Sequence, residues 1–223
     1  MLFGKKWREN SVIRFADEGR NLVLYHYGSD RKDLMLLPGT EIRAAEGQAI
    51  AFMVGSELAD VFDKGNYLLT PENFPRLAEK TSFRLRPIRP VRAELYFINL
   101  DPLTERKWAT RSPALVWQDG KHYLLRAYGT YDFQVTDPIP FMLEVFRNRG
   151  LQTTYEVVSF LPTLLAGAFA ATVSELKMPV ADVINHAWTI SDMVCAKANQ
   201  SAAQLGLEFL HVTIEGASLP DVQ

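Results

Sequence analysis

The sequence predicts a single α+β domain with no recognisable catalytic centre. Short strand-like runs fill the first half of the chain. Uncharged and amphipathic helical tracts fill the second half, and a β-rich run closes it. The 223 residues suffice for one large domain or two small ones with a real core. Apolar residues make up 48% and charged residues 22%, the balance of an ordinary soluble protein.

Taken in order, Asn21 to Tyr27 is rich in strand formers, Thr40 to Arg43 is short and extended, and Ala49 to Val54 is an apolar run of strand length. Gly55 turns the chain into Glu57 to Phe62, and Asp63-Lys64-Gly65-Asn66 reads as a tight turn before Tyr67-Leu68-Leu69. These runs read as a meander of antiparallel strands. Arg92 to Asn99 alternates, with Ala93, Leu95 and Phe97 on one face and Glu94, Tyr96 and Ile98 on the other. Lys107 to Thr110, Ala114 to Trp117, His122 to Tyr128 and Gly129 to Val135 continue in strands, with a hairpin turn at Gln118-Asp119-Gly120-Lys121.

The helical half opens at Asp137, placed to cap a helix with Pro138 at its first position and an end near Asn148. Thr153-Thr154-Tyr155-Glu156 is a capping box that starts a helix running to about Leu176, kinked at Pro162. Within it, Val157 to Ser174 carries no charge and approaches the roughly 20 residues of a membrane span. Its Ser159, Pro162, Thr163, Gly167 and Thr172, with the marginal length, favour a buried core helix. Pro179 begins a further tract, Ser191 is expected to cap the next helix, and Gly206 to end it. Leu207 to Ile214 is the last strand. The Pro- and Arg-containing stretch Arg84 to Pro90 is the best internal boundary. It divides a strand-rich part, 22–90, from a ββ-helical-β part, 91–220, with 1–21 as an N-terminal segment.

A net charge of −2 argues against a nucleic-acid partner. One cysteine, Cys195, can form neither an internal disulfide nor a Cys-based zinc cluster, which fits a reducing compartment. None of His26, His122, His186 and His211 stands in a metal-binding spacing. Asp182 and His186 share a helix face but lack a third ligand, so no metal site is expected. Cys195 would be a nucleophile only if His186 or His211 approached it; its apolar helical neighbours read as core. No P-loop, GxSxG or GxGxxG motif is present. The expectation is therefore no catalytic residues and no cofactor, with an enzyme of dispersed site as one alternative.

Two surface features stand out. Phe83 to Arg92 places Arg84, Arg86, Arg89 and Arg92 close together, and guanidinium groups bind phosphate oxygens in pairs. That segment is a candidate site for an anion or a partner, and an adaptor role is the other alternative. The structural reading of the same residues is a connector whose arginines pair with local carboxylates. At the N-terminus Leu2, Phe3 and Trp7 interleave with Lys5, Lys6 and Arg8, the composition of a membrane-surface contact. One copy would bind weakly and many copies strongly.

The order of Gly47 to Leu69, Arg92 to Trp108, Leu125 to Pro138 and Leu205 to Pro220 resembles the SPFH (band 7, stomatin/prohibitin-like) family. Phe97-Ile98-Asn99, Lys107-Trp108, Leu125 to Tyr131 and Asp137-Pro138 look like the bacterial branch labelled "virion core protein-like". The resemblance implies an α+β SPFH-type domain over 22–220, with a curved antiparallel sheet and helices packed on it. It also implies that Val157 to Ser174 is a domain helix. The implied function is a non-catalytic, membrane-associated scaffold that self-associates and recruits membrane-protein partners, linked to bacterial envelope stress. With no N-terminal membrane hairpin, attachment is expected to be peripheral, at the cytoplasmic face of the cell membrane on an anionic lipid surface. The family's usual helical continuation, or a zinc ribbon, is expected to be missing, leaving 221–223 as a truncated exit.

Overall fold

An apolar hairpin organises the first part of the chain. The structure is a computed structural model that describes residues 12–16, 21–28, 35–118, 121–176 and 179–219. They fall into two compact units, Met1–Asp101 and Pro102–Gln223.

The first unit holds β1 (Val12–Arg14), β2 (Leu24–Tyr27), β3 (Met35–Leu36), β4 (Glu41–Ala44), β5 (Gln48–Val54), β6 (Glu57–Phe62), β7 (Gly65–Leu68), helix α1 (Pro75–Lys80), β8 (Val91–Arg92) and β9 (Glu94–Asn99). Strands β5 and β6 form the expected hairpin around Gly55. The other edge of β5 pairs with β9, and β9 with β2, giving the order β2-β9-β5-β6. Ala49 to Met53 and Leu95 to Ile98 are buried on both faces, so these two strands form the middle of the sheet. The alternation read into Arg92 to Asn99 thus does not separate a wet face from a dry one. A three-stranded sheet β1-β4-β7 and a ribbon β3-β8 complete the unit.

The meander is interrupted at the Asp63–Asn66 turn. Strand β7 pairs with β4, through Ile42↔Tyr67, and not with β6. Gly65, at φ 155°, turns the chain out of the β6 plane, and the Tyr67 hydroxyl donates back to the Asp63 carbonyl at 3.1 Å. Helix α1 was not expected from the sequence. Its first amides are held by a distant side chain, since Asp60 on β6 accepts from Leu77 N at 2.7 Å and Arg76 N at 3.3 Å. This carboxylate replaces the local cap that Phe74 cannot supply. Phe74 instead packs edge-on against Phe52 and Phe62 at 5.0 and 4.9 Å.

The second unit holds β10 (Leu103–Ala109), β11 (Ala114–Gln118), β12 (Lys121–Val135), α2 (Pro138–Pro140), a π-helix (Phe141–Asn148), α3 (Thr154–Leu176), α4 (Val180–Asn185), α5 (Ala187–Ala202) and β13 (Leu207–Ser218). The fifteen-residue β12 is its spine. Its first residues pair with β11, and its later residues lie between β10 and β13. Gly129 marks a close approach there: a Cβ would lie 1.8 Å from the Thr213 carbonyl oxygen. Both units thus combine antiparallel sheets with helices, the α+β class expected; β1–β4 is a parallel pair.

The helical expectations hold in part. Asp137 does cap, accepting from Ile139 N at 2.9 Å, but the helix is one turn and then widens into the π-helix. The capping box is formed: Glu156 Oε2 accepts from Thr153 N and Oγ1, both at 2.9 Å, and Thr153 Oγ1 accepts from Glu156 N at 3.2 Å. Helix α3 is long and apolar enough to cross a membrane. Within this unit its Val157, Leu161, Leu165, Phe169 and Val173 are buried, and it packs on α5, β10 and β11. Ser191 is not a cap. It lies inside α5, because its hydroxyl is used across the fold, donating to Ala187 O at 2.7 Å and accepting from Ile214 N at 3.0 Å. Gly206 does end the helical run, at φ 68°.

Candidate functional site

The segment between α1 and β8 is the surface that the fold presents most distinctly. It is tied down at both ends. Thr81 N and Oγ1 both donate to the last-turn carbonyl of Leu77, at 3.1 and 2.7 Å, and Phe83 N donates to Thr81 Oγ1 at 3.2 Å. The side chains of Phe83 and Val91 are buried in the core. Between these anchors the backbone is cross-braced. Leu85 N and Arg86 N both reach Ser82 O, at 3.1 and 3.0 Å, and Arg89 N reaches Arg86 O at 3.0 Å. Pro87 and Pro90 fix two further φ angles.

On this frame Arg84, Arg86, Arg89 and Arg92 are all exposed. From Thr81 to Ala93 the chain contains no acidic residue. The local pairing considered from the sequence does not form for three of the four arginines. No ion pair joins Arg84, Arg86 or Arg89 to a carboxylate among the described residues, while Arg92 has an interaction of its own. Arg86, Arg89 and Arg92 line one depression of about 230 Å³ together with Thr81, Ser82 and Phe83.

Two residues at this site carried no signal in the sequence reading. Leu85 is 85% exposed and Ile88 is 89% exposed, standing between the arginines. Only the alternation Arg84-Leu85-Arg86 and Ile88-Arg89 could have marked them, since apolar residues in a run otherwise read as core. The N-terminal candidates Leu2, Phe3, Lys5, Lys6, Trp7 and Arg8 lie outside the described residues.

Cys195 lines a depression of about 480 Å³ with Trp188, Ser191, Asp192 and His211. Its Sγ donates to the Phe209 carbonyl at 3.3 Å and accepts from the Asn199 amide at 3.8 Å. Neither partner is a base. Burial, then the charges of Asp192 and Glu208, push the thiol pKa up, opposite to what an activated nucleophile needs. His186 Nδ1 lies 2.9 Å from the Asp182 main-chain carbonyl, so this pair makes a helix-internal contact. No cluster of three metal-ligating side chains occurs among the described residues.

The site thus defines an α+β chain with a braced, exposed cationic loop. The family model for the SPFH domain-Band 7 family matches residues 26–223, and the chain belongs to that family. No curated protein matches it.

Proposed function

We propose that this chain is a non-catalytic, membrane-associated scaffold of the SPFH type. The observation that carries the reading is the family match over residues 26–223; a Cys195 thiol pKa pushed up by burial agrees with it. In this reading copies of the chain self-associate at the inner face of a bacterial cell membrane, bind anionic lipid peripherally and gather membrane-protein partners. The order of signatures such as Phe97-Ile98-Asn99 and Leu125 to Tyr131 points further, to the "virion core protein-like" branch and to envelope-stress organisation.

The test is native mass measurement and co-sedimentation with anionic vesicles, with and without residues 1–10. An oligomer that sediments with vesicles is expected. A monomer that stays in the supernatant overturns the proposal. The exposed arginines Arg84, Arg86 and Arg89, in ion-pair contact with no carboxylate among the described residues, favour a second reading, an adaptor that captures an acidic protein. Charge reversal of Arg84, Arg86 and Arg89 that abolishes capture of membrane proteins, in a chain indifferent to vesicles, would select it.

A further inference from the structure

We infer that the Ser82–Pro90 loop is a membrane-inserting element, with Leu85 and Ile88 entering the lipid and Arg84, Arg86 and Arg89 bound to anionic headgroups; this rests on the membrane-associated reading above.

The exposure of Leu85 and Ile88 is not forced by a crowded core. Phe83 and Val91 take the inward positions at either end, and the braced backbone holds the intervening side chains outward. Two branched aliphatic side chains left this open in water gain nothing from the folded state. They gain only if an apolar phase meets them. Their neighbours identify that phase. Arg84, Arg86 and Arg89 alternate in sequence with the two apolar tips, all three exposed and, among the described residues, in ion-pair contact with no carboxylate. Guanidinium ions take phosphate oxygens bidentately and keep their charge at the headgroup level while apolar neighbours go deeper.

The occupant is lipid and not a protein, on grounds of size and shape. A stable protein interface buries at least about 1,000 Å² with a contiguous apolar centre. Here two separate apolar tips project from a nine-residue loop and are divided by charge. A bilayer surface satisfies both parts together, with phosphates for the arginines and hydrocarbon for the tips. The bracing matters as well, because a loop already in its bound shape loses little conformational freedom on contact. Other strongly exposed aromatic residues, Tyr155 and Trp188, lack this cationic setting; Glu156 and Asp192 stand beside them in sequence and helix register.

The experiment compares the full chain with two variants, Leu85→Ser/Ile88→Ser and Arg84→Gln/Arg86→Gln/Arg89→Gln. Vesicles are of phosphatidylcholine alone or of phosphatidylcholine with phosphatidylglycerol. All replaced side chains are exposed, and an unchanged melting temperature shows that the variants fold. The parent chain should bind the anionic vesicles and bind the neutral ones far less. At about 1 kcal/mol per arginine, the arginine variant should lose roughly a hundredfold in affinity. The apolar variant should lose roughly a hundredfold or more, the scale set by withdrawing two aliphatic side chains from hydrocarbon. An environment-sensitive fluorophore on Leu85→Cys, in a Cys195→Ser background, should shift to the blue on anionic vesicles. If the parent binds and both variants bind equally well, the loop is not the contact and the membrane reading stands through another segment. If only the arginine variant loses affinity and the fluorophore does not shift, insertion is overturned and the site is a plain anion-binding patch. If the parent binds no vesicle, the membrane reading falls and the loop proposal with it.

Discussion

At the scale of single residues, chemistry is set by a few contacts. Cys195 illustrates this. Its burial and the charges of Asp192 and Glu208 favour the neutral thiol. The folded pKa is raised, so whatever stability the neutral thiol contributes is complete below the unfolded pKa and is lost as pH rises through the folded one. At neutral pH the thiolate is scarce, and labelling by an aromatic disulfide reagent should be many times slower in the folded protein than in denaturant. Equal rates in the two states would show an open, reactive thiol and revive a catalytic reading. The sequence reads Cys195 as core from its apolar neighbours Met193, Val194 and Ala196, and the fold leaves it half-buried. It could not anticipate the Phe209 carbonyl that receives the S–H, fourteen residues away.

At the scale of elements, what could be read depended on how far apart the interacting groups lie. The capping box of α3 closes within four residues, and Thr153 and Glu156 were placed correctly. Thr153→Ala should destabilise the protein by about 1 kcal/mol, read as a lower denaturant midpoint. Hydrogen bonds from the Thr153 side chain, then from the Gln152 and Thr153 amides, hold the Glu156 pKa below its ordinary value. Its contribution is therefore present above the unfolded carboxylate pKa and fades as pH falls through the folded one. Thr153→Ala should weaken that acid sensitivity. Ser191 was misread because its partner is twenty-three residues away. From the sequence its hydroxyl fits a cap. In the fold it takes the Ile214 amide, and Asn199 takes the amide and the carbonyl of Phe209, at 2.7 and 2.9 Å. Ser191→Ala leaves a buried N–H without a partner, and the expected cost is about 1–3 kcal/mol by thermal or denaturant melting. The β4–β7 pairing and the Asp60 support of α1 escaped the sequence reading for the same reason, since both join groups from separate stretches of chain.

At the scale of the whole molecule, the α+β class and the family were legible because both rest on order along the chain, which a linear reading sees directly. The exposure of Leu85 and Ile88 was not legible, because it depends on where Phe83 and Val91 are anchored. Avidity links this scale to function. In the proposed scaffold, a loop with two apolar tips and three exposed arginines would give a modest affinity per copy, and an assembly presenting many copies would bind firmly. Raising the salt concentration should therefore release the monomer from anionic vesicles well before it releases the oligomer, as read by co-sedimentation across a dilution series. Coincident release curves would remove assembly from the binding.

Helix α5 lays Ser191, Cys195 and Asn199, one per helical turn, against the main chain of β13. Strand β13 has a strand neighbour on one side alone among the described residues, and these side chains occupy main-chain groups that an incoming strand would need. Copies of the chain therefore have little to zip together along that border. In the proposed assembly, contact along that border falls to side chains, where single charges or protons can reverse it. A lattice joined that way can be dismantled and rebuilt, which strand-to-strand growth into a fibre does not allow.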